Sequence, residues 1–270
     1  MKKLYFIVRI PKSGSQSMRY MVKAALHDRH YFRLPHLATE PDTGITLYDR
    51  FRLRRKLIKG FLKDYGVFTE SAVWKKISRT AKDSDIISGH LHYGRPQLPG
   101  WELQCITLLR NPVDRLISEY NYWRQNFQSR TFIQKRYVRG LLLVAGTCSL
   151  SDYIRYVHEH RKTLGNPATA FVVGHHTGCD PFDFLQQNYF HFGVLDEMDF
   201  FAQELSQKLN RPVATAWTNK TRKTAENKLS PADMALLEEL LDSDIPLYQK
   251  ALAHIRAKKQ QKATEGTENK

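Results

Sequence analysis

The sequence predicts a single α/β domain with a mostly parallel central sheet flanked by helices. Short apolar runs typical of buried strands alternate with segments whose apolar residues recur at helical spacing, as in strand–helix–strand units. The 270 residues can bury a core without disulfides or metals, and no repeat or long linker divides them. We place the domain at residues 1–257 and expect the polar, basic tail, residues 258–270, to be disordered.

The first predicted unit is a strand, a loop and a helix. Residues 4–10 read as a buried strand, and residues 11–17 form the polar turn after it. The apolar residues that follow have the i, i+3, i+4, i+7 spacing of a helix packed on a sheet. They are Met18, Met21, Val22 and Ala25.

Later segments continue the alternation. Further strands are predicted at residues 86–87, 105–109, 170–173 and 190–195. Asn111 and Pro112 suit the N-cap and first position of a helix, and its apolar stripe is Val113, Leu116, Ile117 and Tyr120. The last helices are predicted at residues 198–209, after the cap at Ser230 and Pro231, and at residues 245–256.

Ligands of such sheets bind beyond the carboxyl ends of the strands. The loops to inspect are therefore residues 11–17, 88–95 and 110–112.

The charge of the chain predicts an anionic partner. Lys and Arg number 42 against 27 Asp and Glu, a net charge of +15, and the first 150 residues alone hold a surplus of 16. Such a field concentrates anions near the protein. Two dense runs contribute to it, each either a solvated face or a binding surface: Arg50, Arg52, Arg54, Arg55, Lys56 and Lys59, then Arg130, Lys135, Arg136 and Arg139.

Targeting and cysteine patterns favour a reducing, cytoplasmic location. The N-terminal apolar run is shorter than the core of a signal peptide, and no stretch reaches the length of a membrane-spanning helix. The three cysteines, Cys105, Cys148 and Cys179, form neither a disulfide framework nor a CxxC pair.

The loop after the first strand has the composition of an anion site. It combines Lys12, Gly14 and three serine hydroxyls at the start of a helix, where free backbone N–H groups and the helix dipole bind phosphate or sulfate. The alternative is an ordinary helix start with Ser15 or Ser17 as the N-cap. The order of residues differs from the Walker A loop, in which the lysine directly follows the second glycine.

A second candidate site lies at Arg110 and Ser118. Arg110 ends a predicted strand, and Ser118 lies about two turns into the next helix. A guanidinium and a hydroxyl there suit a second phosphate. From the residues alone, Arg110 could equally be a salt-bridge partner and Ser118 a hydroxyl on the helix surface.

The strings PKSGSQS and RNPVDRLISEY together resemble the two signature loops of sulfotransferases that use 3′-phosphoadenosine 5′-phosphosulfate. The second is similar to the Golgi carbohydrate branch that includes heparan sulfate 2-O- and 6-O-sulfotransferases. The resemblance implies a P-loop-like strand–loop–helix that holds the 5′-phosphosulfate, with Arg110 and Ser118 at the 3′-phosphate. The residues implied for the first loop are Lys12, Ser13, Gly14, Ser15, Gln16 and Ser17.

The resemblance extends to SGHLHYG and, more loosely, to NKTRKTAENK near residues 219–228. It implies that a basic loop closes over the donor through Lys220, Thr221, Arg222 and Lys223. Trp217 could stack on the adenine or belong to the core. Without an N-terminal anchor, the chain resembles a soluble bacterial-type member, or a fragment of an anchored enzyme of the Golgi lumen.

The implied reaction is sulfuryl transfer to a hydroxyl of a carbohydrate, a polysaccharide or glycolipid that can itself be anionic, with adenosine 3′,5′-bisphosphate as product. Lys12 would stabilise charge on the leaving phosphate. His90 is the predicted general base, since histidine titrates near neutrality and His90 follows a sheet strand. His92 is the second choice, and Glu70 and Glu119 are fallbacks.

Two other function classes stay open. A nucleic-acid-binding protein is suggested by charge alone, because no helix-turn-helix, zinc-finger or RNP-like motif is present. A phosphotransferase with an atypical phosphate loop is disfavoured by the missing Walker A order. The grouping of His175, His176 and Cys179 falls short of zinc spacing, and the implied chemistry needs no metal.

Overall fold

The central sheet of the protein is entirely parallel. A computed structural model describes residues 2–34, 59, 62–66, 69–96, 98–136, 138–215 and 229–268. Its five strands have the spatial order β2-β3-β1-β4-β5. They are β1 (Lys2–Val8), β2 (Tyr31–Arg33), β3 (Asp85–Gly89), β4 (Trp101–Leu109) and β5 (Tyr189–Val194). The predicted α/β class, one domain around a parallel sheet, is confirmed.

Helices cover both faces of this sheet. The principal ones are α1 (Ser15–Ala25), α2 (Glu70–Thr80), α3 (Pro112–Gln128), α4 (Phe132–Lys135), α5 (Gly140–Thr147), α6 (Leu150–Glu159), α7 (Arg161–Leu164), α8 (Pro167–Val173), α9 (Pro181–Asn188), α10 (Met198–Leu209), α11 (Pro231–Leu240) and α12 (Asp244–Glu268). In the part of the chain that the structure describes, no helix is both long and apolar enough to cross a bilayer.

Alternation of side chains along β1 divides the core between the two faces. Ile7 packs with Met18 of α1 and Phe201 of α10. Phe6, on the other face, packs with Ile77 of α2 and with residues of α8, α9 and α12. A third cluster joins α3 to α5, α6 and α11. The helix after β4 is thus supported by its own small core.

Several local predictions are confirmed. Residues 198–209 form α10 as predicted. Ser230 caps α11 in a capping box with Asp233, with proline at the first helical position. The four apolar residues predicted for the buried stripe of α1 are all buried.

The strand predicted at residues 170–173 is wrong, because these residues belong to helix α8. A short apolar run does not distinguish a buried strand from a buried helix. Here Pro167 opens the helix, and the buried carboxylate of Asp244 accepts the N–H groups of Ala168 and Thr169 at 3.0 and 2.7 Å. Those two hydrogen bonds satisfy donors that a helix start leaves free.

The tail is also more ordered than predicted. Helix α12 continues to Glu268, so most of residues 258–270 is helical. Lys258 and Lys262 both bind the carboxylate of Glu204 on α10. The sequence of the tail does not show this partner, which lies more than fifty residues earlier and becomes adjacent only in the fold.

Candidate functional site

The order of the strands creates a crevice between β1 and β4. The chain leaves β1 towards β2 on one side of the sheet and leaves β4 towards β5 on the other. Loops that diverge from neighbouring parallel strands leave a space between them, and ligands bind there. The loops at residues 11–14 and 110–111 border this space, as the sequence predicted.

Glycine is required at position 14 of the first loop. Gly14 has φ +77°, in the left-handed region that side chains other than glycine rarely adopt. A Cβ atom added there would lie 2.6 Å from Cδ1 of Leu195. The loop therefore packs tightly against the start of the segment after β5. Lys12 also has positive φ, +64°, which is uncommon for a lysine and marks local strain.

The start of α1 has backbone donors and no side-chain cap. Gly14 is the N-cap, so neither Ser15 nor Ser17 fills that position. The first helical hydrogen bond runs from the N–H of Met18 to the carbonyl of Gly14 at 3.3 Å. The N–H groups of residues 15–17 precede it in the first turn, where they and the helix dipole favour an anion.

The serine side chains of this loop lie deeper than expected. Ser13, Ser15 and Ser17 are all buried. The Ser13 hydroxyl donates to the carbonyl of Ile10 at 2.9 Å and so closes the turn internally. Gln16 is exposed. The loop therefore presents mainly backbone N–H groups and the Lys12 ammonium, with the Ser13 hydroxyl holding its shape.

Lys12 lies over an aromatic ring that sequence reasoning missed. Its Nζ is 4.5 Å from the ring centroid of Tyr122, a cation–π distance. Tyr122 is four residues after Ser118 on α3, the spacing of helix neighbours, and that spacing was the available signal. Burial lowers the pKa of Lys12, and nearby Arg110 lowers it further. A partly dehydrated ammonium interacts more strongly with an anion.

Arg110 joins the two loops. Its Nη1 donates to the carbonyl of Lys12 at 3.1 Å, so both cations lie at the same edge of the sheet. Burial lowers the pKa of Arg110, although a guanidinium stays charged at neutral pH. Asn111 caps α3 by accepting the N–H groups of Val113 and Asp114 at 3.0 and 3.1 Å. Ser118 is buried in the same helix.

His90 is attached to the first loop from the β3 side. Its Nδ1 is 2.7 Å from the carbonyl oxygen of Arg9. A carbonyl can only accept, so Nδ1 carries the hydrogen and Nε2 carries the lone pair of the neutral ring. The N–H of Arg9 in turn donates to the carbonyl of Gly89 at 3.2 Å. The ring is thus oriented with Nε2 as its basic nitrogen.

The other base candidates have different surroundings. The ring of His92 packs edge-on against Phe171 at 4.5 Å, and burial lowers the pKa of His92. Glu70 accepts two hydrogen bonds of 2.8 Å from Arg95. Glu119 accepts one of 2.8 Å from Arg115. Each of these carboxylates is therefore held by an arginine side chain.

The remaining predicted residues divide into two groups. The first group lies outside the described residues, and the predictions for it stay untested. It comprises Trp217, Lys220, Thr221, Arg222, Lys223 and the first basic run without Lys59. Lys59 is described and is exposed. The second group lies within the described residues. In the later basic run, Nζ of Lys135 lies 5.2 Å from the ring centroid of Phe127. His175, His176 and Cys179 are exposed, and no group of metal-binding side chains is found among the described residues.

Two of the comparisons with known proteins give matches, one with a protein family and one with solved structures. The family model described as "Sulfotransferase domain" matches residues 2–174, a range that includes both loops that border the crevice. Comparison with curated proteins gives no match. Among solved structures, the chain is similar to a sulfotransferase from Alicyclobacillus acidocaldarius, with 14% identity and a TM-score of 0.37; the match covers 91% of this chain and 98% of that one.

Proposed function

The chain belongs to the sulfotransferase domain family, and from that premise we propose that it transfers a sulfuryl group from 3′-phosphoadenosine 5′-phosphosulfate to a hydroxyl of a carbohydrate. Family membership makes it a transferase of the EC 2.8.2 type.

One observation carries it: two half-buried cations lie together beside an uncapped helix start. Arg110 donates to the backbone of Lys12, and α1 begins at Gly14 without a side-chain cap. This set of donors fits a ligand with two anionic groups, because backbone N–H groups and an ammonium suit one and a guanidinium suits the other. Lys12 and residues 13–17 would hold the phosphosulfate, and Arg110 with Ser118 the 3′-phosphate.

The donor supplies the sulfuryl group and a phosphate leaving group. Nε2 of His90 accepts the proton of the acceptor hydroxyl, and the Arg9 carbonyl keeps the ring oriented through Nδ1. Lys12 stabilises the negative charge that develops on the leaving phosphate. The weak hydration of this ammonium, indicated by its lowered pKa, strengthens that interaction.

A carbohydrate acceptor is supported by the likeness of the second loop to the carbohydrate branch and by the basic surface. In the described part of the later run, Arg136 and Arg139 are exposed and available to an extended anionic chain. A histidine base suits a hydroxyl nucleophile, because the imidazole removes the hydroxyl proton during the transfer.

The test is a calorimetric titration with adenosine 3′,5′-bisphosphate. We expect micromolar binding to the wild type and binding about 10- to 100-fold weaker in Arg110→Ala, since a charge-assisted hydrogen bond contributes about 1.5–3 kcal/mol. Arg155→Ala, which removes an exposed arginine of α6, is the matched control. Wild-type binding weaker than millimolar would contradict the donor assignment, and equal loss in the control would contradict the role of Arg110.

A further inference from the structure

Three neighbouring strands place polar residues at one spot on the α1 face of the sheet. Ser88 of β3 is in register with Ile7 of β1 and with Arg33 of β2. Because Ile7 faces α1, Ser88 and Arg33 face it too. Arg9, two residues after Ile7, continues on this face.

Buried polar atoms at this spot have no partner among the described residues. They are Nε of Arg9, the hydroxyl of Tyr31 and the hydroxyl of Ser88. Ser88 is only 1% exposed. Each buried donor or acceptor without a hydrogen bond costs about 1–3 kcal/mol. Three such groups in one place indicate that another molecule completes them.

The spot is also strongly positive. Burial lowers the pKa of Arg9, and the charges of Arg19 and Arg33 lower it further, while Tyr31 raises it. No carboxylate acts on Arg9 among the described residues. Elsewhere the fold pairs its arginines, for example Arg211 with Asp28 and Arg95 with Glu70. Like charges that lie close together without a counter-ion favour a bound anion.

This cluster is next to the candidate base and across β1 from Arg110. The carbonyl of Arg9 is the partner of His90 Nδ1. Arg110 lies on the other side of β1, after β4. An anion held by the arginines would therefore lie on the His90 side of β1, away from Arg110.

We propose that Arg9, Arg19 and Arg33, with the hydroxyls of Ser88 and Tyr31, form an acceptor subsite that binds an oxyanion, a carboxylate or a sulfate ester, near the hydroxyl to be sulfated. The inference rests on the proposed function and narrows the acceptor to anionic carbohydrates. It is separate from the two basic runs, which lie on other segments.

The experiment measures oligosaccharide binding to protein saturated with adenosine 3′,5′-bisphosphate, so that the donor site is occupied. The probes are a chondroitin tetrasaccharide with free carboxylates and no sulfate, its neutral carboxyl-reduced form, and a carboxyl-reduced form that carries 6-sulfate. We expect one or both charged forms to bind at least tenfold more tightly than the neutral form. The charged form that is preferred identifies the oxyanion.

The variants are Arg9→Gln and Arg33→Gln, with Arg79→Gln as control because Arg79 is exposed on α2, which packs on the opposite face. We expect the first two to lose most of the preference for charged forms, with unchanged bisphosphate and neutral-sugar binding. Arg33 is exposed, so its variant provides the test if Arg9→Gln does not fold.

Equal binding of charged and neutral forms by the wild type, or an unchanged preference in Arg33→Gln, would overturn the subsite. Failure of bisphosphate to bind the wild type would instead overturn the proposed function, so the two failures are distinguishable.

Discussion

The cations of the crevice and those of helix α12 have opposite surroundings. Among the described residues, Lys12 and Arg110 form no ion pair; they contact a tyrosine ring and a backbone carbonyl. On α12, Lys258 and Lys262 bind Glu204, and Lys259 binds Glu197. All these residues count equally in the net charge of +15. Of these two groups, the crevice cations are the ones that keep their charge available for a ligand.

This difference shows that the number of charged residues along a sequence does not locate a binding site. A carboxylate beside a lysine neutralises its field and contributes to stability, whereas an unpaired, partly buried cation costs free energy that a bound anion recovers. The variants below test whether the crevice serves activity and the α12 region serves stability.

The largest effect is expected at His90. His90→Ala should lower turnover by about 10²- to 10⁴-fold, the usual contribution of a general base, while bisphosphate binding stays at the wild-type value. Steady-state kinetics with labelled donor and calorimetry measure the two quantities. If His92→Ala produces this loss and His90→Ala does not, His92 is the base.

Lys12→Ala should reduce turnover by about 10²- to 10³-fold, as for loss of one charge-stabilising donor, with an unfolding midpoint close to that of the wild type. Lys258→Ala is the counterpart from α12 and should do the reverse, lowering the midpoint and leaving turnover unchanged. A loss of activity in Lys258→Ala equal to that in Lys12→Ala would remove the distinction between the regions.

Acid should weaken the α12 side through His191, which is buried on β5 and whose Nε2 lies 3.0 Å from the carbonyl of Phe201. Burial lowers the pKa of His191 from 6.5 to about 4. Between these values the unfolded chain binds the proton and the folded protein does not, so the free energy of unfolding falls as pH falls. At 1.36 kcal/mol per pKa unit the loss by pH 4 is about 3 kcal/mol.

Urea unfolding at pH 7 and pH 4.5 measures this effect. His191→Gln should have a smaller difference in unfolding free energy between the two pH values than the wild type, since glutamine does not titrate. The same pH dependence in both proteins would show that other groups are responsible.

The smallest effect is expected at Glu204. Glu204→Gln leaves Lys258 and Lys262 without their carboxylate and should lower the unfolding free energy by about 1–2 kcal/mol, because both ammonium groups are partly exposed and screened. Turnover should not change. Glu239→Gln is the control, because it removes an exposed carboxylate that contacts His158. It should lower the unfolding free energy by less than Glu204→Gln does. Equal losses of unfolding free energy in the two variants would show that the buried position of Glu204 does not increase its contribution to stability.

Sequence reasoning found the elements whose signals are local. The strand, loop and helix around Gly14 and the cap at Asn111 depend on residues adjacent in the chain. The contact of His90 with the Arg9 carbonyl and that of Lys12 with Tyr122 join positions about 80 and 110 residues apart. Such contacts follow from the order of strands in the sheet, which local sequence patterns do not reveal. For this reason the arginine subsite was not predicted from the sequence.

The central position of β1 affects how the chain is made. On the ribosome β1 emerges first, yet its neighbours follow much later, since Leu4 pairs with Asp85 of β3 and Leu103 of β4. Until β3 has been synthesised both edges of this apolar strand are open, and one edge stays open until β4 follows, so β1 is exposed to aggregation and to chaperones. Folding of the sheet is thus expected to be slow, because the central strand pairs with β4 about a hundred residues later in the chain.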